Sequence, residues 1–301
     1  MLQSACLSIW AVPGGGKTSL LRFLAHPEVK TAHTAELRGR AVIYIDSAQV
    51  RDPEAFYDLV AQSVVESNPT VNTSRYSLPS ASPDQLYYLL DDVAHPPVLL
   101  LDNISVWGKK PAFTPEFFGF LRGISQGADV VIVTASDLQL CDCLPLGRGS
   151  PFFNIFQVET LGALSGEAVH DLLSAQVQPR TELPHYAPEI RELSGDLPLF
   201  LKLACHHYAI ALQKNDGNLA GQARQELVDI IEQACQPYYR RMWLILPEEG
   251  KRLVASVARG EELSRWDLQQ ADMMGLRERG YIRDGELFSR LFARFVRSVR
   301  E

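Results

Sequence analysis

The sequence predicts an α/β fold, with a parallel sheet covered by helices on both faces, then a helical subdomain and a small C-terminal module. Three observations carry this. Up to about residue 160, short apolar runs alternate with helical patterns, as in successive βαβ units. A glycine-rich stretch ending in lysine, GGGK, lies between the first apolar run and the first helical pattern. From about Leu164 the strand-like runs stop and helical spacing takes over.

Candidate strands cover residues 7–11, 41–45, 98–101 and 130–134, with a shorter one over 156–161. The first four are unbroken apolar runs, as expected of strands buried on both faces. Helices are expected to begin near Thr18, Pro53, Pro83 and Pro115. Three of these carry proline at or near the first turn, where its missing N–H costs nothing. LSGEAVHDLLSA opens the helical region, with Ser165 as its N-cap and Glu167 one position short of a capping box. After LPEEG, residues 251–259, 264–279 and 289–299 read as helices. Between the last two, GYIRDGELFS holds Asp284-Gly285, a hairpin turn signal. Helix, helix, hairpin, helix is the order of a winged helix-turn-helix module. The expected domains are therefore 1–163, 164–246 and 247–301.

A chain of 301 residues exceeds what one core comfortably holds. Its 46% hydrophobic and 22% charged residues suit a globular protein rather than a disordered one. No apolar run reaches the roughly 20 residues a membrane helix needs, so no membrane partner is expected. The start, MLQSACLSIW, lacks a basic segment followed by a long apolar one, and no secretory leader is expected. The five cysteines are irregularly spaced, and Cys141-Asp142-Cys143 has no second pair to complete a zinc site. Reduced thiols in the cytoplasm are the expectation. A net charge of −7 counts against nucleic acid as the dominant partner.

The strongest motif is AVPGGGKTSLL at 11–21, a phosphate-binding loop with Ala11 in the place of its first glycine. A strand precedes it and a helix follows, the context the motif requires. Small residues let backbone N–H groups curl around phosphate oxygens, and the helix N-terminus adds partial positive charge. Pro13, Gly14, Gly15, Gly16, Lys17, Thr18 and Ser19 are the expected nucleotide contacts. Lys17 suits the β- and γ-phosphates, and the Thr18 hydroxyl suits Mg²⁺. The expected ligands are thus ATP or ADP with Mg²⁺, on a P-loop NTPase sheet. In VLLLD at 98–102, Asp102 ends a buried strand, where a magnesium-side carboxylate belongs. Thr18 and Asp102 form the expected metal set.

In DVVIVTASD at 129–137, Thr134 and Ser136 end the next strand. They either orient the attacking water or simply close a strand with polar residues. Lys17, Asp102, Asn103 and Thr134 are the candidate catalytic set. Asn103 follows Asp102, and an amide can orient a water but not deprotonate it, so hydrolysis is expected to be slow or absent. Asp137 and Glu262 are alternative carboxylates, though nothing in the sequence brings them to this site.

The order of GGGKTSLL, LLLDN, VVIVTASD, SPFFNIFQVETLGALS and LSGDLPLFLKLACHH resembles the STAND branch of AAA+ ATPases, in particular bacterial AAA-like ATPases. The resemblance spans nearly the whole chain, including ELFSRLFARFV near its end. It implies a nucleotide-driven, signal-transducing switch with a winged-helix module. It also implies that the Gly-x-Pro element at 194–199 packs near the nucleotide, with Pro198 beside the adenine or ribose. The simpler reading of Pro198 is the first turn of a helix. Arg148 is either an arginine finger or a loop charge. Three features depart from the family pattern. Asn103 stands where members often carry Glu or Asp, no Met-His-Asp element is found, and only ten residues precede Ala11. The last suggests either a fragment or a minimal switch.

The candidate recognition helix, SRWDLQQADMMGLRERG, mixes Arg265, Arg277 and Arg279 with Asp267, Asp272 and Glu278. Base readout favours donors without opposing carboxylates. Arg290, Arg294, Arg297 and Arg300 in the last helix suit phosphate contacts or a solvated face. The expectation is a switch whose nucleotide lies between the sheet core and the helical subdomain. Its nucleotide state sets domain docking or oligomerisation, with a protein or a second copy as partner. The alternatives are a DNA-associated AAA+ ATPase in the style of replication initiators or transposition regulators, and a silent interaction scaffold.

Overall fold

A computed structural model describes residues 6–37, 39–76, 81–147, 150–175, 183–215 and 217–299. The chain divides into two compact units, one holding β1 and Lys17–Glu159, the other holding Ala11–Gly16 and the chain from Thr160 onward.

The first unit is built on a sheet of order β2-β3-β4-β1-β5. Its strands are β1 (Cys6–Trp10), β2 (Val42–Asp46), β3 (Val98–Asp102), β4 (Val131–Ser136) and β5 (Phe156–Thr160). The pairings β2–β3, β3–β4 and β4–β1 are parallel, so the crossovers must be helical. After β1 come α1 (Lys17–Leu24) and the short α2 (Pro27–Ala32) and α3 (Thr34–Leu37). α4 (Pro53–Ser67) and α5 (Pro83–Asp92) join β2 to β3, and α6 (Pro115–Gly127) joins β3 to β4. A single turn, α7 (Leu140–Cys143), follows β4. The prolines sit where expected. Asp52 caps α4 through Ala55 N, and Ser82 and Gln85 form a capping box on α5. Leu99, Leu100 and Leu101 are buried, as the unbroken apolar run requires. An aromatic cluster of Phe56, Trp107, Phe113 and Phe117 closes this core, with Trp107 and Phe113 stacked at 4.8 Å.

The second unit is helical. It contains α8 (Gly166–Ala175), α9 (Ala187–Ser194), α10 (Pro198–Lys214), α11 (Gly221–Leu244), α12 (Glu248–Ala258), α13 (Arg265–Met273) and α14 (Arg290–Ser298). Between the last two lies a hairpin of β6 (Ile282–Arg283) and β7 (Glu286–Leu287). Ser165 caps α8 by accepting from Ala168 N at 3.2 Å. One hydrophobic core runs from Phe200 and Tyr239 through Leu253 to Phe292, joining α10 and α11 to the C-terminal elements. Asp284 and Gly285 both have positive φ, the type I′ geometry that an Asp-Gly pair favours.

One helix differs from the sequence expectation. The helix predicted over 264–279 ends at Met273. Gly275 takes φ +62°, Leu276 N donates to Ala271 O at 2.9 Å, and Gly275 N donates to Asp272 O at 2.9 Å. That is a Schellman stop, and apolar spacing alone does not reveal it.

Candidate functional site

In the sheet unit, the parallel register brings the C-terminal ends of β1, β3 and β4 to one edge, where ligands of such sheets bind. Leu101 pairs with Thr134, and Trp10 with Ser136. Asp102, the last residue of β3, is only 3% exposed. It is held from the neighbouring strand, where Tyr44 Oη donates to Asp102 Oδ2 at 2.9 Å. Asp46 pairs directly with Asp102, so Tyr44, two residues earlier, lies on the same face of β2 and spans the diagonal. Burial raises the Tyr44 phenol above its ordinary range, opposed by Arg22 and reinforced by Asp102. The Arg22 guanidinium lies 5.6 Å from the centre of the Tyr44 ring.

Lys17 opens α1 and is buried. Its Nζ lies 2.6 Å from Asp137 Oδ1, and the two side chains are 10% and 9% exposed. Asp137 follows β4 directly, and Trp10 Nε1 donates to its carbonyl oxygen at 3.2 Å. Thr134 is fully buried, and its Oγ1 has no hydrogen-bond partner in the protein. Ser136 Oγ donates to Leu138 O. Thr18 and Ser19 are exposed on the first turn of α1, a turn with no acidic residue to repel an anion.

Asn103 has φ 57° and ψ 38°, the left-handed region, and stands before the 3₁₀ turn Ile104–Lys109. Among side-chain-bearing residues, asparagine tolerates this conformation best. The residue expected to limit chemistry thus also has a backbone reason to be asparagine.

In the helical unit, the loop Ala11–Gly16 packs on the start of α10. Gly14 and Gly16 take φ +85° and +95°. A Cβ added at Gly14 would come within 2.9 Å of Leu199, and one at Gly16 within 3.5 Å of Pro198 Cγ. Leu199 N donates to Gly14 O at 3.2 Å, and Gly15 N to Val12 O at 3.0 Å. Pro198 is the first residue of α10, so the simple reading of Pro198 and its place beside the loop hold together. Just before it, buried Asp196 accepts from Arg191 at 2.5 and 2.7 Å and also from Arg283 of the hairpin.

Arg148 lies outside the described residues. Glu262 is exposed in the turn between α12 and α13 of the helical unit. Of the arginines in α14, Arg290 pairs with Glu192 at 2.7 Å and Arg294 with Glu232 at 2.9 Å.

The donors suit a hard divalent cation. Asp102 and Thr18 offer oxygen, the ligand type magnesium prefers. Among the described residues no group of three His, Cys, Asp or Glu side chains is placed to hold a metal. A magnesium ion here would therefore complete its shell with water and phosphate oxygens, as it commonly does. Sequence reasoning missed Tyr44 and Leu199. Tyr44 was readable as the polar-tipped residue in the middle of the VIYID strand, ahead of its terminal Asp46, but its reach to Asp102 depends on strand register. Among the described residues no helix is long and apolar enough to cross a membrane.

Comparison with solved structures finds the same architecture. The Aeropyrum pernix ORC2 protein in its ADP form has a TM-score of 0.57 at 14% identity, covering 91% of this chain and 74% of that one. The ADPNP–ADP complexes of the same protein give 0.56 at 16% identity, with 91% and 74% coverage. Cdc6p from Pyrobaculum aerophilum gives 0.50 at 15% identity, covering 97% and 85%. At such identities the likeness shows the fold alone, an α/β P-loop fold. No curated protein matches the chain. The sequence profile described as Novel STAND NTPase 2 matches residues 93–260, more than half the chain. With a phosphate loop after β1, a carboxylate ending β3 and a helical unit packed on that loop, the chain belongs to the Novel STAND NTPase 2 family.

Proposed function

We propose that the chain is an ATP-binding switch that hydrolyses its nucleotide slowly or not at all. The observation that carries this reading is the phosphate loop itself. Buried Lys17 directly follows three glycines, and Gly14 O of that loop accepts a backbone hydrogen bond from α10. In this reading the amides of Gly14–Gly16 and the start of α1 bind phosphates, and Lys17 neutralises the β- and γ-oxygens. Thr18 and Asp102 would hold Mg²⁺, which supplies charge neutralisation between the phosphates. Thr134 orients water from β4. Pro198 and Leu199 pass the state of the loop to the helical unit, so nucleotide state biases that unit's C-terminal winged-helix elements toward a protein partner or a second copy. The ion pairs of Arg290 and Arg294 with glutamates of the same unit favour this over a DNA-binding use of α14.

Isothermal titration of the full chain with ATP and Mg²⁺ tests the reading. Saturable uptake that Lys17→Ala abolishes is expected. Absence of uptake, with Lys17→Ala indistinguishable from the parent, would leave the interaction scaffold as the better account.

A further inference from the structure

We infer that Asp137 competes with nucleotide phosphate for Lys17 and thereby lowers the site's preference for di- and triphosphates over a monophosphate. This rests on the proposed nucleotide-binding reading. The ammonium and carboxylate are 2.6 Å apart and about nine-tenths buried. In that setting a charge pair is weakly screened, and removing either partner leaves the other exposed to a large desolvation cost. The same ammonium is the only cation within the phosphate-loop motif AVPGGGKTSLL. An incoming β- or γ-phosphate and the Asp137 carboxylate are like charges seeking one partner, so they cannot both keep it at full strength.

Binding therefore has to displace or loosen Asp137, and its backbone is coupled to β1 through the Trp10 indole, which donates to Asp137 O at 3.2 Å. If Lys17 is held by Asp137 in nine molecules of ten, apparent affinity falls about ten-fold, since only the released fraction binds. AMP, lacking the β- and γ-phosphates, never needs that ammonium. The aspartate thus weakens ATP and ADP without touching AMP.

The test is titration of the full chain and of Asp137→Asn and Asp137→Ala with ATP, ADP and AMP in Mg²⁺. Tightening of ATP and ADP by about ten-fold, with AMP changed by less than roughly two-fold, is expected. Unchanged or weakened ATP affinity in Asp137→Asn, beside a parent that binds ATP, overturns the inference and leaves the binding reading intact. An equal gain for AMP overturns it as well, because the aspartate is then not acting through the outer phosphates. No uptake by parent or variants removes the binding reading and the inference with it. If circular dichroism shows both variants unfolded, the parent itself carries the test. The difference in emission between it and Trp10→Phe should change on ATP addition, and an unchanged difference overturns the inference.

Discussion

Tyr44 Oη lies 2.9 Å from Asp102 Oδ2, joining two neighbouring strands at the edge where the phosphate loop begins. The carboxylate is nearly fully buried, so the phenol supplies hydrogen bonding that water would otherwise give. Tyr44→Phe should lower the free energy of unfolding by about 1–2 kcal/mol, the usual cost of orphaning one buried acceptor. Urea denaturation measures this. On the proposed function, the same change should weaken the Mg²⁺ dependence of nucleotide binding by roughly ten-fold, as losing an orienting partner does at metal sites.

Asn103 carries two expectations that can be separated. Its left-handed backbone makes Asn103→Glu and Asn103→Gln each cost about 1 kcal/mol in stability, whereas Asn103→Gly should be close to neutral. Only the glutamate adds a proton acceptor beside Asp102. Steady-state turnover should therefore rise in Asn103→Glu and not in Asn103→Gln. Equal turnover in the two variants, or brisk turnover in the parent, would discard the slow-switch reading.

Gly14→Ala meets two obstacles together, a φ of +85° and Leu199 at 2.9 Å. A loss of about 1–3 kcal/mol in stability is expected, because strain at a left-handed residue adds to overpacking. Thermal denaturation with and without ATP is the measurement. A variant as stable as the parent would mean that the loop does not rest on α10 as described.

Asp196 joins the α9–α10 junction to the hairpin through Arg191 and Arg283. Both arginines are partly exposed, so solvent tempers the effect. Asp196→Asn should still destabilise by about 1–2 kcal/mol, since the carboxylate itself is buried. Proteolysis should then cut sooner near residues 283–286, and unchanged kinetics of cutting there would argue against a tethering role.

Burial raises the Cys205 and Cys235 thiols from an ordinary 9.0 to about 11. Between those values the unfolded chain has released protons that the folded chain still holds. Stability should therefore fall as pH rises from about 9 to 11 and be insensitive to these groups below pH 8. Urea midpoints across that range give the slope. Replacing both cysteines by alanine should make it shallower, the remainder coming from the buried Cys143 thiol and Tyr57 phenol, both also raised.

Much of the sheet unit was legible because its signals are local. Each buried strand is a run of consecutive apolar residues, and Pro53, Pro83 and Pro115 mark helix starts by missing a donor that a first turn does not need. GGGKT and Asp102 were readable as a phosphate loop and a strand-ending carboxylate for the same reason. Schellman geometry at Gly275 was not, because a glycine within a helical pattern looks tolerated until its φ is known.

What the sequence determined by itself was the set of elements, their order and the residues able to do phosphate chemistry, since these follow from periodicity and side-chain type. Tertiary structure decided the partnerships. Lys17 meets Asp137 and Tyr44 meets Asp102 only because parallel register aligns strand ends separated by many residues. Gly14 meets Leu199 only because the chain returns after the sheet to lay α10 on the loop. Pairings at that sequence distance depend on register and packing, and neither is written in any short stretch of residues.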